Sequence, residues 1–333
     1  MKAALIGLGM VAPRYAEILN AADDLTLGPV YARSAEAREA FAAEYGTVAA
    51  ASVEAIAEDP SVDFAVVLTP PNARRDITRT LVAARKPILM EKPIERTVAA
   101  SEEIVSICED AGVPLGIVLQ HRARDVVARL REVMPALGAL RMAEVTIAWW
   151  RPQSYYDELG RGTYERDGGG VLISQAIHTI DLMLTLTGPV SEVTALCATT
   201  GLHRMEAEDF ASVGMRFESG AVGSLLATTA SYPGMGETIT LHFDAGSARL
   251  EKGLLTVTRR DGTMEEFGAQ AGAGGGADPM AFSSEWHRAV VMDFAEALRE
   301  GRPPMVTGQD ALPVHRLIAA IERSGREGRR VGV

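Results

Sequence analysis

At 333 residues the chain is longer than one hydrophobic core usually grows, and about 150 residues per domain gives two domains. Its make-up, 47% hydrophobic and 23% charged with 32 Gly and 16 Pro, excludes wholesale disorder and collagen-like repeats. A formal net charge of −11 argues against a nucleic acid or an anionic membrane chosen by bulk charge, and the cysteine pair Cys108 and Cys197 excludes a disulfide framework or a cysteine-rich zinc site. No apolar run approaches the roughly 18 residues of a membrane span, and no signal-peptide cleavage region follows the first one, so a reducing cytoplasm is the expected setting.

The first third alternates short apolar runs with amphipathic stretches. Strands are expected over 3–6, 29–32, 47–49, 64–68, 88–90 and 115–119, with helices over 11–20, 34–44, 76–84 and 97–110 between them. Ser34 and Thr97 suit helix N-caps, and Gly46 and Gly112 suit left-handed helix ends. Such a rhythm predicts parallel strands with right-handed crossovers, covered on both faces. After about residue 121 it changes: helices near 125–133 and 170–186 flank a strand at 140–150, and strands at 193–199, 211–217, 221–229, 238–243 and 254–258 follow. These read as one mainly antiparallel sheet. The glycine-rich stretch 268–279 reads as a mobile surface loop, and helices over 285–300 and 310–324 close the chain. The expected fold is an α/β Rossmann domain over 1–120 plus an α+β domain over 121–333 with a large, mainly antiparallel open sheet, its C-terminal helix able to pack back on the first domain.

The first strand runs into Gly7-Leu8-Gly9-Met10-Val11-Ala12 and then a helix, the dinucleotide fingerprint in its form ending with alanine. Gly7 permits the tight turn, Gly9 lets the backbone approach a pyrophosphate, and Ala12 lets helix and strand pack closely. An NAD site places a carboxylate at the end of the second strand, yet here that strand ends Tyr31-Ala32-Arg33-Ser34, while Asp23 and Asp24 sit at its other end. A guanidinium and a hydroxyl favour a 2′-phosphate, so NADP is preferred over NAD, with Arg33 and Ser34 as its contacts.

Three further segments carry a resemblance. Thr69-Pro70-Pro71-Asn72 follows the strand at 64–68, Glu91-Lys92-Pro93 follows the strand at 88–90, and Gly168-Gly169-Gly170-Val171-Leu172 leads a helix containing His178 and Asp181. With the glycine loop, and in this order and spacing over essentially the whole chain, the sequence resembles the Gfo/Idh/MocA oxidoreductase family. The resemblance implies an N-terminal Rossmann domain, a C-terminal sheet domain that forms a homodimer or homotetramer, and dehydrogenation or reduction of sugars, polyols and related small molecules. Trp149-Trp150-Arg151-Pro152, followed by Tyr155-Tyr156, further resembles members that act on sugars or nucleotide sugars. It also implies that Pro70 and Asn72, with Thr69, line the nicotinamide side, and that Glu91, Lys92 and Pro93 adjoin the cofactor.

Moving a hydride between a carbinol carbon and nicotinamide requires one proton to be moved on or off the oxygen. Lys92, just past a strand's carboxyl end, is the first candidate for that work; its neutral amine is a base, and burial favours that form. His178 is the second. Ser174, His178 and Asp181 stand at i, i+4 and i+7, one helical face, and Ser174 and Asp181 are the expected supporting groups. The family commonly has aspartate where this chain has Ser174, so a carboxylate relay is not expected there. Histidine is common in the family near residue 74; Arg74 is given no role. For substrate, Arg122, Arg151, Gln153, Tyr155, Tyr156, Arg161 and Tyr164 form a polar and aromatic set near the domain junction, suited to sugar hydroxyls or an anionic group. The remaining histidines show no metal-ligand spacing, so no metal is expected. Glu206, Glu208 and Asp209 read as a polar strand edge.

The leading expectation is therefore an NADP-preferring, NAD(P)-dependent oxidoreductase acting on a CH-OH group of a sugar, sugar acid, nucleotide sugar or polyol. A redox-assisted glycoside hydrolase with tightly bound NAD, and a non-enzymatic dinucleotide-sensing regulator, are the alternatives.

Overall fold

The computed structural model describes residues 1–269 and 284–333, so the stretch expected as a mobile loop lies outside the described residues from position 270 onward. In chain order the elements are β1 (Lys2–Ile6), α1 (Ala12–Ala21), β2 (Thr26–Tyr31), α2 (Ala35–Tyr45), α3 (Val53–Glu58), β3 (Phe64–Val67), α4 (Arg74–Ala83), β4 (Ile88–Glu91), α5 (Val98–Asp110) and β5 (Leu115–Val118). They continue with α6 (Asp125–Leu137), β6 (Leu140–Ala148), α7 (Gln153–Tyr156), a π-wound turn over Leu172–Ala176, α8 (Ile177–Thr187), β7 (Val190–Ala198), β8 (Phe210–Phe217), β9 (Val222–Thr228), β10 (Thr238–Phe243), β11 (Gly246–Glu251), β12 (Leu254–Arg259) and β13 (Met264–Gly268). The helices α9 (Glu285–Glu300) and α10 (Gly308–Glu327) and the two-residue β14 (Val331–Gly332) end the chain.

The chain divides into two compact units, Met1–Gln120 with Ser284–Leu312, and His121–Ser283 with Pro313–Val333. In the first, five parallel strands lie in the order β2-β1-β3-β4-β5. Every residue of β3, β4 and β5 is buried, as a sheet covered on both faces demands. Ser34 and Thr97 accept from the backbone N–H of Ala37 and Ala100 and start α2 and α5, and Gly46 ends α2 in the left-handed region. α9 belongs to this unit: the Phe294 ring packs so close to Gly116 that an added Cβ there would lie 2.6 Å from it. The third strand expected at 47–49 is instead an isolated parallel bridge from Ala49 to Val30. The Thr47 hydroxyl turns back to the Gly28 carbonyl at 2.6 Å, and two backbone bonds to Val30 are all that the alanine-rich stretch contributes to a ladder.

In the second unit nine strands lie in the order β13-β12-β11-β10-β6-β9-β8-β7-β14, antiparallel throughout except for β6 with β9. β8 alternates, Ala211, Val213, Met215 and Phe217 inward against Ser212, Gly214 and Arg216 outward, so one sheet face packs and the other does not. α6 covers β11 to β13 and α8 covers β6 on the packed face. Three strands, β11, β13 and β14, were not expected from the sequence, and the helix expected over 170–186 opens with the π turn rather than α winding.

Candidate active site

Parallel sheets offer ligands the carboxyl ends of their strands, above all where strand order reverses. In the first unit that reversal lies between β1 and β3, and the loop after β1 carries Gly7 to Ala12. Gly7 has φ +99, its N–H bonds the Tyr31 carbonyl at 2.8 Å, and a Cβ on it would stand 2.7 Å from the Thr69 nitrogen, so only glycine fits between β2 and the 69–72 loop. A Cβ on Gly9 would meet nothing within 4 Å. Ala12 is fully buried, no side chain caps α1, and Leu8, Met10 and Val11 complete the turn. This open backbone, leading into a helix start, fits a pyrophosphate.

Arg33 is exposed past the end of β2, and Ser34 spends its oxygen on capping α2. Arg38, not singled out from the sequence, lies beside them, over the Tyr31 ring and bonded to the Ala32 carbonyl at 3.2 Å.

The loop after β4 is fastened from two directions. The buried Tyr15 hydroxyl on α1 donates to Glu91 Oε1 at 2.7 Å, and the other carboxylate oxygen accepts from the Lys92 backbone N–H at 3.1 Å. Burial first, and then the Glu91 charge, raises the Tyr15 phenol well above its usual range, so it stays a donor. His287 on α9 approaches Glu91 at 4.0 Å, and burial lowers its imidazole to about 4, leaving it neutral. From the other side Arg74, only 2% exposed, donates through Nε and Nη2 to the Thr69 carbonyl at 2.9 and 2.7 Å, and through Nη1 to the carbonyls of Glu91 and Pro93. Lys92 is half-buried between those last two residues, joined to Pro93 by a cis peptide bond. Pro70 begins and Asn72 lies within a short 3-10 turn that leads to Arg74.

Sequence reasoning gave Arg74 no role and missed Tyr15. A signal for Tyr15 exists: Ala12, Tyr15, Ala16 and Leu19 share the buried stripe of α1, and a phenol on such a stripe needs an acceptor.

In the second unit His178 is 7% exposed on α8, and its ring lies tilted at 36° against that of His121 with centroids 5.2 Å apart. Asp181 accepts bidentately from Arg122, at 2.8 Å from Nε and 2.6 Å from Nη2, with the two side chains 2% and 13% exposed. Arg122, expected to face substrate, thus fixes the carboxylate expected to support the histidine. Ser174 lies in the π turn that leads into α8, ahead of His178 and Asp181.

That turn is held at its start by Glu208, whose oxygens accept from Gly170 N–H at 3.2 Å and Leu172 N–H at 3.1 Å. A Cβ on Gly170 would lie 1.8 Å from the Glu208 carbonyl oxygen, which makes glycine obligatory there. Glu208 and Asp209 are therefore no exposed strand edge: they are 5% and 0% exposed, one capping the turn and the other bonded to His203 at 2.7 Å. Burial raises the Glu208 carboxyl.

Three of the expected substrate residues, Arg151, Tyr155 and Arg161, cluster. The Arg151 guanidinium, 2% exposed, lies between the Trp149 and Tyr155 rings, 5.3 and 5.9 Å from their centroids. Arg161 lies over Tyr155 at 4.6 Å and donates to its hydroxyl, as does Gln175 of the π turn at 3.3 Å. Tyr156 turns inward, its buried hydroxyl 2.6 Å from that of Thr229. Gln153 instead ties α7 to the backbone of Arg204. Tyr164 lines a cavity of about 240 Å³ with Cys197, Glu206, Glu208, Glu322 and Arg326, where none of the other six appears. Among the described residues no group of three or more His, Cys, Asp or Glu is placed to hold a metal ion, and no helix is long and apolar enough to cross a membrane.

Residues 1–118 match the oxidoreductase family with an NAD-binding Rossmann fold, and residues 127–249 match the GFO/IDH/MocA C-terminal domain. The 1,5-anhydro-D-fructose reductase of Ensifer adhaerens is 32% identical over 200 residues, a match spanning 57% of this chain and 57% of that protein's length. The myo-inositol 2-dehydrogenase of Thermotoga maritima is 23% identical across 99% of this chain and 98% of its own. The crystal structure of the WlbA dehydrogenase from Bordetella pertussis, in complex with NADH and UDP-GlcNAcA, superposes with a TM-score of 0.85 at 27% identity, covering 100% of this chain and 98% of that one.

Proposed function

Because this chain belongs to the Gfo/Idh/MocA oxidoreductase family, we propose that it transfers a hydride between a nicotinamide cofactor, NADP in preference to NAD, and a hydroxyl or keto carbon of a sugar or polyol derivative. One observation carries the reading: the unobstructed Gly9 backbone and the doubly fastened Lys92 loop share the carboxyl edge of one parallel sheet. When bound, the cofactor supplies the hydride chemistry, which no side chain can. The residues of the chain bind it and move the proton. The Gly7 to Ala12 turn holds the pyrophosphate, Thr69, Pro70 and Asn72 adjoin the nicotinamide side, and Lys92 and His178 share the proton on the reacting oxygen. The His121 ring, tilted against that of His178 with centroids 5.2 Å apart, holds the imidazole from one side.

The cofactor preference rests on β2, which ends Tyr31-Ala32-Arg33-Ser34 with no carboxylate to repel a 2′-phosphate. The substrate class rests on names: the Ensifer reductase and the Thermotoga dehydrogenase act on cyclic polyhydroxy compounds, and the Bordetella protein is seen with a nucleotide sugar. The Arg151, Tyr155, Arg161 and Gln175 cluster has the donors and ring faces such compounds require. A cytoplasmic setting is part of the reading, both cysteines being free thiols. So is a homo-oligomer through the second sheet, on whose outer face Met142, Val222 and Leu196 are 36, 43 and 62% exposed. Fluorescence titration with NADPH and NADH, then a panel of sugars, sugar acids, nucleotide sugars and polyols with the tighter cofactor, tests the whole. Binding of neither dinucleotide refutes it.

A further inference from the structure

We infer that Arg74 is a positioning residue for Lys92: its buried guanidinium locks the backbone on both sides of the lysine to the loop after β3. This rests on the reading of Lys92 as a proton-transfer group. Arg74 opens α4, one residue past the turn that follows β3, while residues 91–93 follow β4, its neighbour in the sheet. Nη1 reaches the carbonyls of Glu91 and of Pro93, the residues flanking Lys92, while Nε and Nη2 close on the Thr69 carbonyl. Three carbonyl oxygens on two loops are therefore satisfied by one planar group.

The arrangement needs arginine. Five N–H donors in a rigid fork can serve acceptors on opposite sides at once, whereas an imidazole has at most two donors and a lysine ammonium is a single point of charge. At 2% exposure the guanidinium is lowered by burial to about 10, with Glu91 pulling the other way, so it remains a cation at neutral pH. A buried cation bonded to three carbonyls lets the loop take one conformation, and Tyr15 bonded to the Glu91 carboxylate fixes its other face. Lys92 is thus presented from a segment whose backbone is hydrogen-bonded on both sides.

The chain has four lysines, at positions 2, 86, 92 and 252, so the reactivity of Lys92 can be read separately by acetic anhydride labelling and peptide mass spectrometry. Arg74→Gln and Arg74→Lys are to be compared with the parent and with Lys92→Ala. The expected result is NADPH affinity within about threefold of the parent, kcat lower by about 100-fold with KM little changed, and a several-fold change in Lys92 labelling while Lys2 and Lys252 label as before. Should Arg74→Gln fail to fold, Arg74→Lys carries the test, since its ammonium cannot bridge the two loops. Arg74→Lys with kcat within threefold of the parent and unaltered Lys92 labelling overturns the inference. So does a loss of kcat matched by an equal loss of NADPH affinity with Lys92 labelling unaltered, which is the behaviour of a mere scaffold. Undiminished turnover by Lys92→Ala removes the premise instead, whatever Arg74 does.

Discussion

Asp181 closes both carboxylate oxygens on Arg122, Oδ2 2.8 Å from Nε and Oδ1 2.6 Å from Nη2, with almost no water in reach. A buried pair broken on one side leaves an uncompensated charge. Asp181→Asn should therefore lower unfolding stability by about 3 kcal/mol in urea melts, and replacing Arg122 by Met in the same chain should recover much of that loss. Equal stability of Asp181→Asn and the parent would show that the pair carries no weight.

Two glycines make opposite demands. Gly170→Ala puts a Cβ against the Glu208 carbonyl, 1.8 Å away, and should cost about 3 kcal/mol or abolish soluble expression. Gly9→Ala meets nothing within 4 Å, so its melting temperature should match the parent while dinucleotide affinity falls about tenfold. Full affinity in Gly9→Ala would mean the pyrophosphate does not approach that backbone.

Arg33→Ala should weaken NADPH binding about tenfold, the worth of a charge-assisted contact, and leave NADH nearly unchanged. Equal effects on both cofactors would remove Arg33 from the 2′-phosphate.

The cavity lined by Tyr164 and Arg326 holds a carboxyl out of its normal range. Burial, reinforced by the Glu208 charge and opposed by Arg326, raises Glu322 from 4.5 to about 7. The folded chain thus keeps a proton there that the unfolded chain releases near pH 4.5, so stability is lost as pH rises from that value through about 7. Glu322→Gln carries no such charge and should gain on the parent by about 2 kcal/mol between roughly pH 5 and pH 8. A stability difference that stays flat over that range would contradict the account.

What could be read in the sequence was whatever rests on local pattern. The period of apolar runs predicts the parallel sheet, the glycine loop predicts its own turn, and Ser34 and Thr97 announce their helices. What could not be read depends on pairing across distance. The stretch at 47–49 has a strand's composition, but it meets β2 in an isolated bridge, Ala49 to Val30, rather than a ladder. Glu208 looks like a surface charge until the N–H groups of Gly170 and Leu172 are seen to require it. Arg74 looks like the first solvated residue of a helix, and only the fold brings three carbonyl oxygens to it. The substrate set mixed residues that pair among themselves, Arg151 with Tyr155, and residues such as Gln153 that hold a neighbouring loop.

The most direct test of the account is turnover by Lys92→Ala, measured beside its NADPH affinity. In that variant kcat should fall at least about 1000-fold while the dissociation constant for NADPH stays within about threefold of the parent. A variant that turns substrate over at the parental rate would contradict it.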